Sequence, residues 1–151
     1  MKKLSRRTLI TGALATATLS GAYVLYPARV VANGDLLVSP QRANELIRQS
    51  EVLLIDVRRP DEWARTGIAK GAVPIDLRRR DFIEAVKAAQ EATGGLPLAV
   101  ICARGVRSRR MAAAMTKAGL GDIIDIPEGM LGSSAGPGWL ARGLPTQKWT
   151  K

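Results

Sequence analysis

The spacing of short apolar runs along the chain is the feature that most restricts its fold. Four runs rich in Val, Ile and Leu have the length of buried β-strands and lie at 52–57, 73–75, 98–101 and 123–126. Segments with apolar residues at helical spacing lie before and between them, at 39–49, 81–92 and 109–118. Strands that alternate with helices in this way predict an α/β domain with a mainly parallel central sheet and helices on both faces.

Shorter elements complete this pattern. We predict a short strand, one helical turn and a closing helix, at 36–38, 61–64 and 138–142. Ser39-Pro40 supplies an N-cap followed by proline at the first helical position. Gly94-Gly95 ends the helix that precedes it.

The only cysteine of the chain, Cys102, stands where one predicted strand ends. The loop that follows it consists of Ala103, Arg104, Gly105, Val106, Arg107 and Ser108. A tight loop between a strand and a helix turns its backbone N–H groups inward, and the helix N-terminus adds partial positive charge. This arrangement would stabilise a thiolate at Cys102, and the two loop arginines would attract an anion to it. The alternative interpretation is a buried cysteine that only ends a core strand.

Asp56 also stands at the end of a predicted strand. Sites in parallel sheets lie at the carboxyl ends of the strands, so we expect the segments of Asp56 and Cys102 to meet across one crevice. Asp56 could then pair with a loop arginine and brace the loop, with Arg107 as the expected partner. Alternatively, it could cap nearby N–H groups at the end of its own strand.

Five further residues have structural interpretations. Arg58 and Glu62 are expected to pair with each other or with neighbours, although Arg58 could support the site. Trp63 and Trp139 are interpreted as packing residues rather than substrate contacts. For Ser108, capping of the helix is favoured over a hydrogen bond to the sulfur.

The residue types that are missing exclude several chemistries. The chain has no histidine, which rules out Cys-His and Ser-His-Asp catalysis. One cysteine without histidine leaves no soft-metal site and no intramolecular disulfide. We therefore expect neither a metal ion nor a cofactor.

The N-terminal segment 1–32 has the layout of an export signal. Basic residues open it, 8–26 are 19 uncharged and mildly apolar residues, and Val30-Val31-Ala32 offers a cleavage point. Ser5-Arg6-Arg7-Thr8-Leu9-Ile10 resembles the twin-arginine export motif, and the alternative is a chance arginine pair. Since 19 residues nearly span a bilayer, the segment could instead be an uncleaved N-terminal membrane anchor. Either form predicts that the domain, 33–151, is periplasmic or otherwise exported in a prokaryote.

The net charge of the chain is +10, and half of this excess belongs to the N-terminal segment. Five of the 23 basic residues and none of the 13 acidic ones fall within 1–32, which leaves a net charge of +5 for the remainder. Outside 78–80 and 107–110 the basic residues are spread out, and no aromatic residues interleave with them. A solvated surface is therefore favoured over nucleic-acid binding.

Three motifs in sequence order carry a family resemblance. The first is Leu54-Ile55-Asp56-Val57-Arg58-Arg59-Pro60-Asp61-Glu62-Trp63, followed by Gly71-Ala72. The second is the cysteine loop, which has the form Cys-x-x-Gly-x-Arg. The third combines Gly129 with 139–145, which contains the sequence Gly-Leu-Pro. Together these motifs resemble those of the rhodanese-like single-domain sulfurtransferases.

This resemblance covers about residues 36–148. It implies a rhodanese-like fold, a nucleophilic Cys102 and a persulfide-binding loop at 103–108. Where the family often has Gly-His-Ile, this chain has Thr66-Gly67-Ile68, which we expect to matter little because that histidine is not the nucleophile. The Gly- and Ser-rich stretch 130–138 looks longer than the usual form and should reshape the rim of the pocket.

Three classes of function remain open. The favoured class is a rhodanese-type sulfurtransferase, in which Cys102 takes a sulfane sulfur from a small anionic donor such as thiosulfate. The resulting persulfide would pass the sulfur to a thiol, a protein acceptor or cyanide. The second class is an arsenate reductase or cysteine phosphatase, whose loop has one residue more than the four that separate Cys102 from Arg107. The third is a non-catalytic or relay module that binds a partner protein.

Overall fold

A computed structural model describes residues 36–150 of the chain. Its helices are α1 Pro40–Arg48, α2 Pro60–Thr66, α3 Phe82–Ala92, α4 Val106–Lys117 and α5 Gly138–Ala141. Its strands are β1 Leu53–Asp56, β2 Ile68–Ala69, β3 Val73–Pro74, β4 Leu98–Ile101, β5 Ile124–Asp125 and β6 Thr146–Gln147. The predicted α/β class is confirmed.

Four of the strands form one parallel sheet in the order β3-β1-β4-β5. The central strands β1 and β4 pair in register, with Leu53 opposite Leu98 and Asp56 opposite Ile101. Every residue of these two strands is buried, because a parallel sheet of this kind is covered on both faces. The mainly parallel central sheet predicted from the apolar runs is therefore confirmed.

Helices cover both faces of this sheet. On one face, α1 and α5 enclose a cluster that includes Leu54, Ile101 and Trp139. On the other face, α3 and α4 enclose a second cluster that includes Ile55 and Val100. Successive side chains of a strand point to opposite faces, so each central strand contributes to both clusters. Each buried Leu or Ile contributes roughly 1.5–3 kcal/mol, so the two clusters supply the main driving force for folding.

The predicted helix boundaries agree with the structure where a cap defines them. The Ser39 hydroxyl accepts a hydrogen bond from the Arg42 N–H at 3.2 Å, and α1 begins at the proline that follows. α3 ends before Gly94 and Gly95, both of which have positive φ. Because a cap is encoded within a few residues, it can be recognised without knowledge of the rest of the fold.

Other elements differ from the prediction. Instead of a strand at 36–38, a single bridge joins Leu37 to Asp125. α2 covers seven residues rather than one turn, because the N–H of Arg59 donates to Glu62 and stabilises the start of the helix. α4 begins at Val106 rather than at 109. The prediction missed the first turn because that turn is largely polar and lacks apolar residues at helical spacing. Strands β2 and β6 were not predicted, and they form a separate antiparallel pair.

The N-terminal segment 1–32 and its export motif lie outside the described residues. Within 36–150, no helix is long and apolar enough to cross a membrane.

Candidate functional site

Cys102 lies at the carboxyl end of β4, on the face of the sheet that α3 and α4 cover. It is a free cysteine with 1% of its surface exposed. It contributes to the wall of an open cavity of about 360 Å³. The other residues that line this cavity are Glu62, Ala103, Arg104, Val106, Arg107 and Leu131. The cysteine therefore borders a cavity that is open to solvent, although almost none of its own surface is exposed.

The backbone of the loop 103–108 offers a row of hydrogen-bond donors. Among the hydrogen bonds found within 36–150, none has a backbone N–H of these six residues as its donor. The next amide along the chain, that of Arg109, donates to the carbonyl of Gly105 at 3.2 Å and begins the hydrogen bonding of α4. Amides at a helix N-terminus lack intrahelical acceptors and favour anions. The loop therefore has the composition of an anion cradle beside Cys102.

The cysteine loop is held in place by the backbone of 127–131. The Met130 N–H donates to the carbonyl of Cys102, and the Leu131 N–H donates to the carbonyl of Ala103, each at 2.9 Å. The two segments approach so closely that each needs a glycine at the contact. Gly105 has a φ of 79° and would bring a Cβ into the carbonyl of Pro127. A Cβ at Gly129, whose φ is 68°, would lie 2.6 Å from the carbonyl group of Ala103.

Arg107 pairs with Glu62 at the edge of the cavity. Nη1 and Nη2 of Arg107 donate to the two carboxylate oxygens of Glu62 at 2.7 and 2.6 Å. These hydrogen bonds, aided by the Arg59 N–H and opposed by burial, lower the pKa of Glu62 from 4.5 to about 2. The pair joins the first turn of α4 to α2, and so connects the segments that follow the two central strands.

Asp56 does not take the expected position opposite Arg107. Its carboxylate accepts hydrogen bonds from the N–H, Nε and Nη2 of Arg58, the shortest at 2.7 Å. Arg58 also donates to the Thr66 hydroxyl at 2.8 Å and to the Gly67 carbonyl at 2.7 Å. The predicted brace through Asp56 is therefore wrong, because Arg58, only two residues away, already occupies the carboxylate. Asp56 does cap a nearby N–H, as the alternative interpretation proposed.

Asp56 and Arg58 form a buried connection below the site rather than part of its surface. Asp56 has no exposed surface and Arg58 is 1% exposed, and neither lines the cysteine cavity. Arg58 instead fixes the passage from β1 into α2 and thereby the position of Glu62 on that helix. Arg58 and Glu62 do not pair with each other. Arg58 pairs with Asp56 and Glu62 pairs with Arg107, so the second predicted arrangement, pairing with neighbours, is the one observed.

Ser108 adopts neither of its two predicted roles. Gly105 occupies the N-cap position of α4, and the Ser108 hydroxyl donates to the Gly105 carbonyl at 3.0 Å. Ser108 is buried near Asp125, the last residue of β5. Both carboxylate oxygens of Asp125 are buried without a hydrogen-bond partner in the described part of the chain. Burial raises the pKa of Asp125, and the nearby Ser108 hydroxyl and Arg109 partly oppose this rise.

The two tryptophans pack as predicted. Trp63 and Trp139 are 4% and 0% exposed, and neither lines the cysteine cavity. The stretch 130–138 contributes Leu131 to the lining of the cysteine cavity. Glu128 was not singled out from the sequence. It accepts hydrogen bonds from Arg142 at 2.7 and 2.8 Å, and these close the stretch against α5.

The structure thus brings most of the predicted loop residues together around one cavity. Gly105 and Ser108 are buried and do not line the cysteine cavity, and Gly105 forms the N-cap of α4. Sequence reasoning did not place Glu62 or Leu131 at the cavity, although Glu62 belongs to a recognised motif. Within 36–150, no group of three or more His, Cys, Asp or Glu side chains could hold a metal ion.

The parallel sheet, its covering helices and the cysteine loop at the end of β4 define an α/β fold with a single cysteine at the carboxyl edge of the sheet. The family model for the rhodanese-like domain matches residues 39–135. The chain therefore belongs to the rhodanese-like domain family, as the three sequence motifs predicted.

Individual relatives show which proteins the chain is similar to. The tRNA uridine(34) hydroxylase of Acinetobacter baumannii (strain AYE) is 30% identical over 95 residues, which cover 62% of this chain and 30% of that protein. The chain thus spans about a third of the length of the curated relatives that it matches.

Solved structures show the same fold at lower sequence identity. The 30 kDa polysulfide-sulfur transferase homodimer from Wolinella succinogenes aligns with a TM-score of 0.58 and 24% identity, over 82% of this chain and 85% of that one. Rv0390 from M. tuberculosis aligns with a TM-score of 0.57 and 24% identity, over 75% of this chain and 97% of that one.

Proposed function

We propose that the protein is a sulfurtransferase that carries sulfur as a persulfide on Cys102. The observation that supports this most directly is the single cysteine beside six loop amides that have no acceptor within 36–150. A row of amides is suited to hold the negative charge of a terminal sulfur, just as an oxyanion hole holds that of an oxygen. The polysulfide-sulfur transferase among the structural neighbours supports the same class of reaction.

In the first step, the Cys102 thiolate attacks the outer sulfur of a small anionic donor such as thiosulfate. A Cys102–sulfur bond forms, the sulfur–sulfur bond of thiosulfate breaks, and sulfite leaves with the bonding electron pair. The total charge is unchanged, and the persulfide retains one negative charge that the loop amides can accept. Arg104 stands at the mouth of the cavity and adds positive charge that favours entry of the dianion.

In the second step, an acceptor thiolate, or cyanide in an assay, attacks the outer sulfur of the persulfide. The new bond to the acceptor forms as the bond to Cys102 breaks, and Cys102 is released as the thiolate. No oxidant or reductant is consumed, because one sulfane sulfur is only moved. Covalent catalysis of this kind needs one nucleophile and no histidine.

The loop length favours sulfur over a phosphate as the bound group. Four residues separate Cys102 from Arg107, and the Arg107 guanidinium is occupied by both oxygens of Glu62. A tetrahedral phosphate would need that arginine free to bind two of its oxygens. We therefore rank the phosphatase and arsenate-reductase class below sulfur transfer. A relay to a protein acceptor would use the same persulfide.

The test is intact-mass measurement after exposure of the purified protein to thiosulfate. We expect wild type to gain the mass of one sulfur atom, located on Cys102, and to form thiocyanate when cyanide is added. Cys102→Ser should gain no sulfur and form no thiocyanate above background, while its stability changes by only about 1 kcal/mol. Sulfur transfer retained in Cys102→Ser would remove the nucleophile assignment. A variant that fails to fold would instead indicate a core cysteine.

A further inference from the structure

A second cavity adjoins the cysteine cavity and is not used by the proposed reaction. Its volume is about 260 Å³, and it shares Arg104 and Val106 with the cysteine cavity as a common wall. The remaining lining residues come from the start of α4 and from the stretch 127–135: Gly105, Arg109, Arg110, Pro127, Ser133, Ser134 and Ala135. A ligand of modest size could therefore extend from one cavity into the other across Arg104 and Val106.

The second cavity is lined by positive charge and by no carboxylate, although Asp125 lies near Arg109 outside the cavity. Arg104, Arg109 and Arg110 line it, and no aspartate or glutamate does. None of these three arginines has a carboxylate oxygen within 4.0 Å in the described part of the chain. Many other arginines of the domain do pair with carboxylates, namely Arg42, Arg58, Arg59, Arg65, Arg78, Arg79, Arg107 and Arg142. Three arginines that form no ion pair in the described part of the chain line one cavity, which favours an anionic ligand.

The wall opposite the arginines is fixed by its own hydrogen bonds. The Ser133 hydroxyl donates to the Pro127 carbonyl at 2.8 Å and accepts from the Ala135 N–H at 3.1 Å. This wall belongs to the Gly- and Ser-rich stretch 130–138, which the sequence predicts to be longer than the usual form of the family. The cavity is therefore a feature of how this chain closes around its cysteine loop, and it does not depend on Cys102 itself.

We propose that this cavity, here called the arginine pocket, binds the anionic group of a small thiol that accepts sulfur from Cys102. The proposal rests on the proposed sulfur transfer and adds the class of acceptor. The carboxylate or sulfonate of the acceptor lies among Arg104, Arg109 and Arg110, and its sulfur extends across Val106 to the persulfide. The acceptor thiolate then bonds to the outer sulfur as the bond from that sulfur to Cys102 breaks, and Cys102 leaves as the thiolate with the bonding electron pair. The outer sulfur keeps its negative charge, so the acceptor leaves as a persulfide anion.

The first test measures binding without chemistry. Ethanesulfonate and propionate are titrated into the isotope-labelled protein, and backbone amide shifts are followed by NMR. We expect the shifts to concentrate at 104–110 and 133–135 and to be lost in Arg109→Gln/Arg110→Gln. A matched control, Arg80→Gln/Lys87→Gln, removes the same charge from exposed residues elsewhere. The proposal is overturned if shifts are absent, or if the two double variants lose them equally. This result does not depend on persulfide formation, so it separates failure of the pocket from failure of the proposed function.

The second test measures acceptor choice on protein loaded with thiosulfate. Mercaptoethanesulfonate and mercaptoethanol differ in their anionic group, and the ratio of their second-order rate constants reports its contribution. We expect Arg109→Gln/Arg110→Gln to lower this ratio about tenfold and the control variant to leave it near the wild-type value. A ratio that is the same in all three proteins overturns the acceptor assignment. Salt-sensitive binding of RNA that both double variants weaken alike would also overturn it, since the arginines would then act as a diffuse basic surface.

Discussion

Arg107 and Glu62 show how a single ion pair can control the charge of the cysteine cavity. Both residues line the cavity, and their charges compensate each other at 2.6 Å. Arg107 therefore adds little net attraction for an anion as long as Glu62 faces it. Its larger effect is to neutralise a carboxylate that would otherwise repel an anionic donor.

This pairing predicts an ordered response to substitution. Arg107→Gln leaves the Glu62 carboxylate with only the more exposed Arg59, whose Nε lies 3.3 Å from Glu62 Oε2, as an ion-pair partner. We expect kcat/KM for thiosulfate to fall about tenfold in initial-rate assays of thiocyanate formation. Adding Glu62→Gln removes the repulsion, so the double variant should regain a substantial part of that loss. Arg104→Gln removes an unpaired charge and should mainly raise KM.

The variant that combines Arg107→Gln with Glu62→Gln shows whether repulsion by Glu62 causes the lower kcat/KM of Arg107→Gln. If Arg107 acted only by its own positive charge, Glu62→Gln would not rescue Arg107→Gln. Melting temperatures of all variants provide the control for a loosened loop. Equal losses in the single and double variants would contradict the repulsion argument.

Asp125 gives a second prediction at the scale of one residue. Its pKa is raised by burial above the 3.8 of the unfolded chain, so the unfolded state ionises first as the pH rises. Stability from this residue is therefore complete below about pH 3.8 and is lost as the pH rises through the folded pKa. We expect Asp125→Asn to melt a few degrees above wild type at neutral pH, with the difference vanishing in acid.

Thermal melting as a function of pH checks this, with the exposed neighbour Asp122→Asn as the matched control. The control should follow the wild-type curve. A lower melting temperature for Asp125→Asn at neutral pH would show that the carboxylate has a stabilising partner.

At the scale of elements, the cysteine loop and α4 act as one unit. The loop amides 103–108 are oriented by the start of the helix on one side and by the contacts to 127–131 on the other. One residue inserted between Val106 and Arg107 would turn the amides out of register and pull Arg107 away from Glu62. We expect the insertion to lower sulfur transfer about a hundredfold, as a misplaced site does.

Assays with thiosulfate and with an aryl phosphate check the insertion variant. Weak phosphate binding could appear, because the longer loop matches the phosphatase spacing and Arg107 is freed. An inserted alanine between Gly119 and Leu120, beyond the end of α4, is the matched control. Ready hydrolysis of the aryl phosphate by wild type would contradict the proposed function.

The elements that the sequence predicts best are those with local signals. β4 is a continuous apolar run, and β1 is apolar up to its last residue, Asp56. α1 and α3 have caps, and the cysteine loop has a compact motif. The pairing of β2 with β6 joins Ile68 to Gln147, and neither two-residue strand is long enough to show alternation. The same limit applies to the site. Arg107 and Glu62 are 45 residues apart, and their contact depends on how α2 and α4 are arranged on the finished sheet.

At the scale of the whole molecule, we propose that the domain is exported through the segment 1–32. The proposal rests on the twin-arginine motif and on the uncharged run that follows it. Arg6→Lys/Arg7→Lys keeps the charge and changes only the side-chain geometry, so a general secretory signal would tolerate it. We expect the twin-lysine precursor to accumulate in the cytoplasm.

Cell fractionation followed by immunodetection checks this prediction. Lys2→Arg/Lys3→Arg is the matched control, since it changes the same side-chain types in the reverse direction and leaves the arginine pair intact. Normal export of the twin-lysine variant would exclude the twin-arginine route.

The main-chain origin of the anion cradle has a consequence for how this protein can change over generations. Backbone N–H groups are supplied by every residue except proline, so the proposed binding of the persulfide by the loop amides does not depend on the identity of the exposed side chains, although Arg104 favours entry of the donor. Gly105 is restricted by its contact with Pro127, whereas Arg104 and Val106 are exposed at the entrance. Substitutions at those two positions can select a new sulfur acceptor while the sulfur itself is held as before. The sulfur acceptor can therefore change during evolution while the proposed reaction at Cys102 is retained.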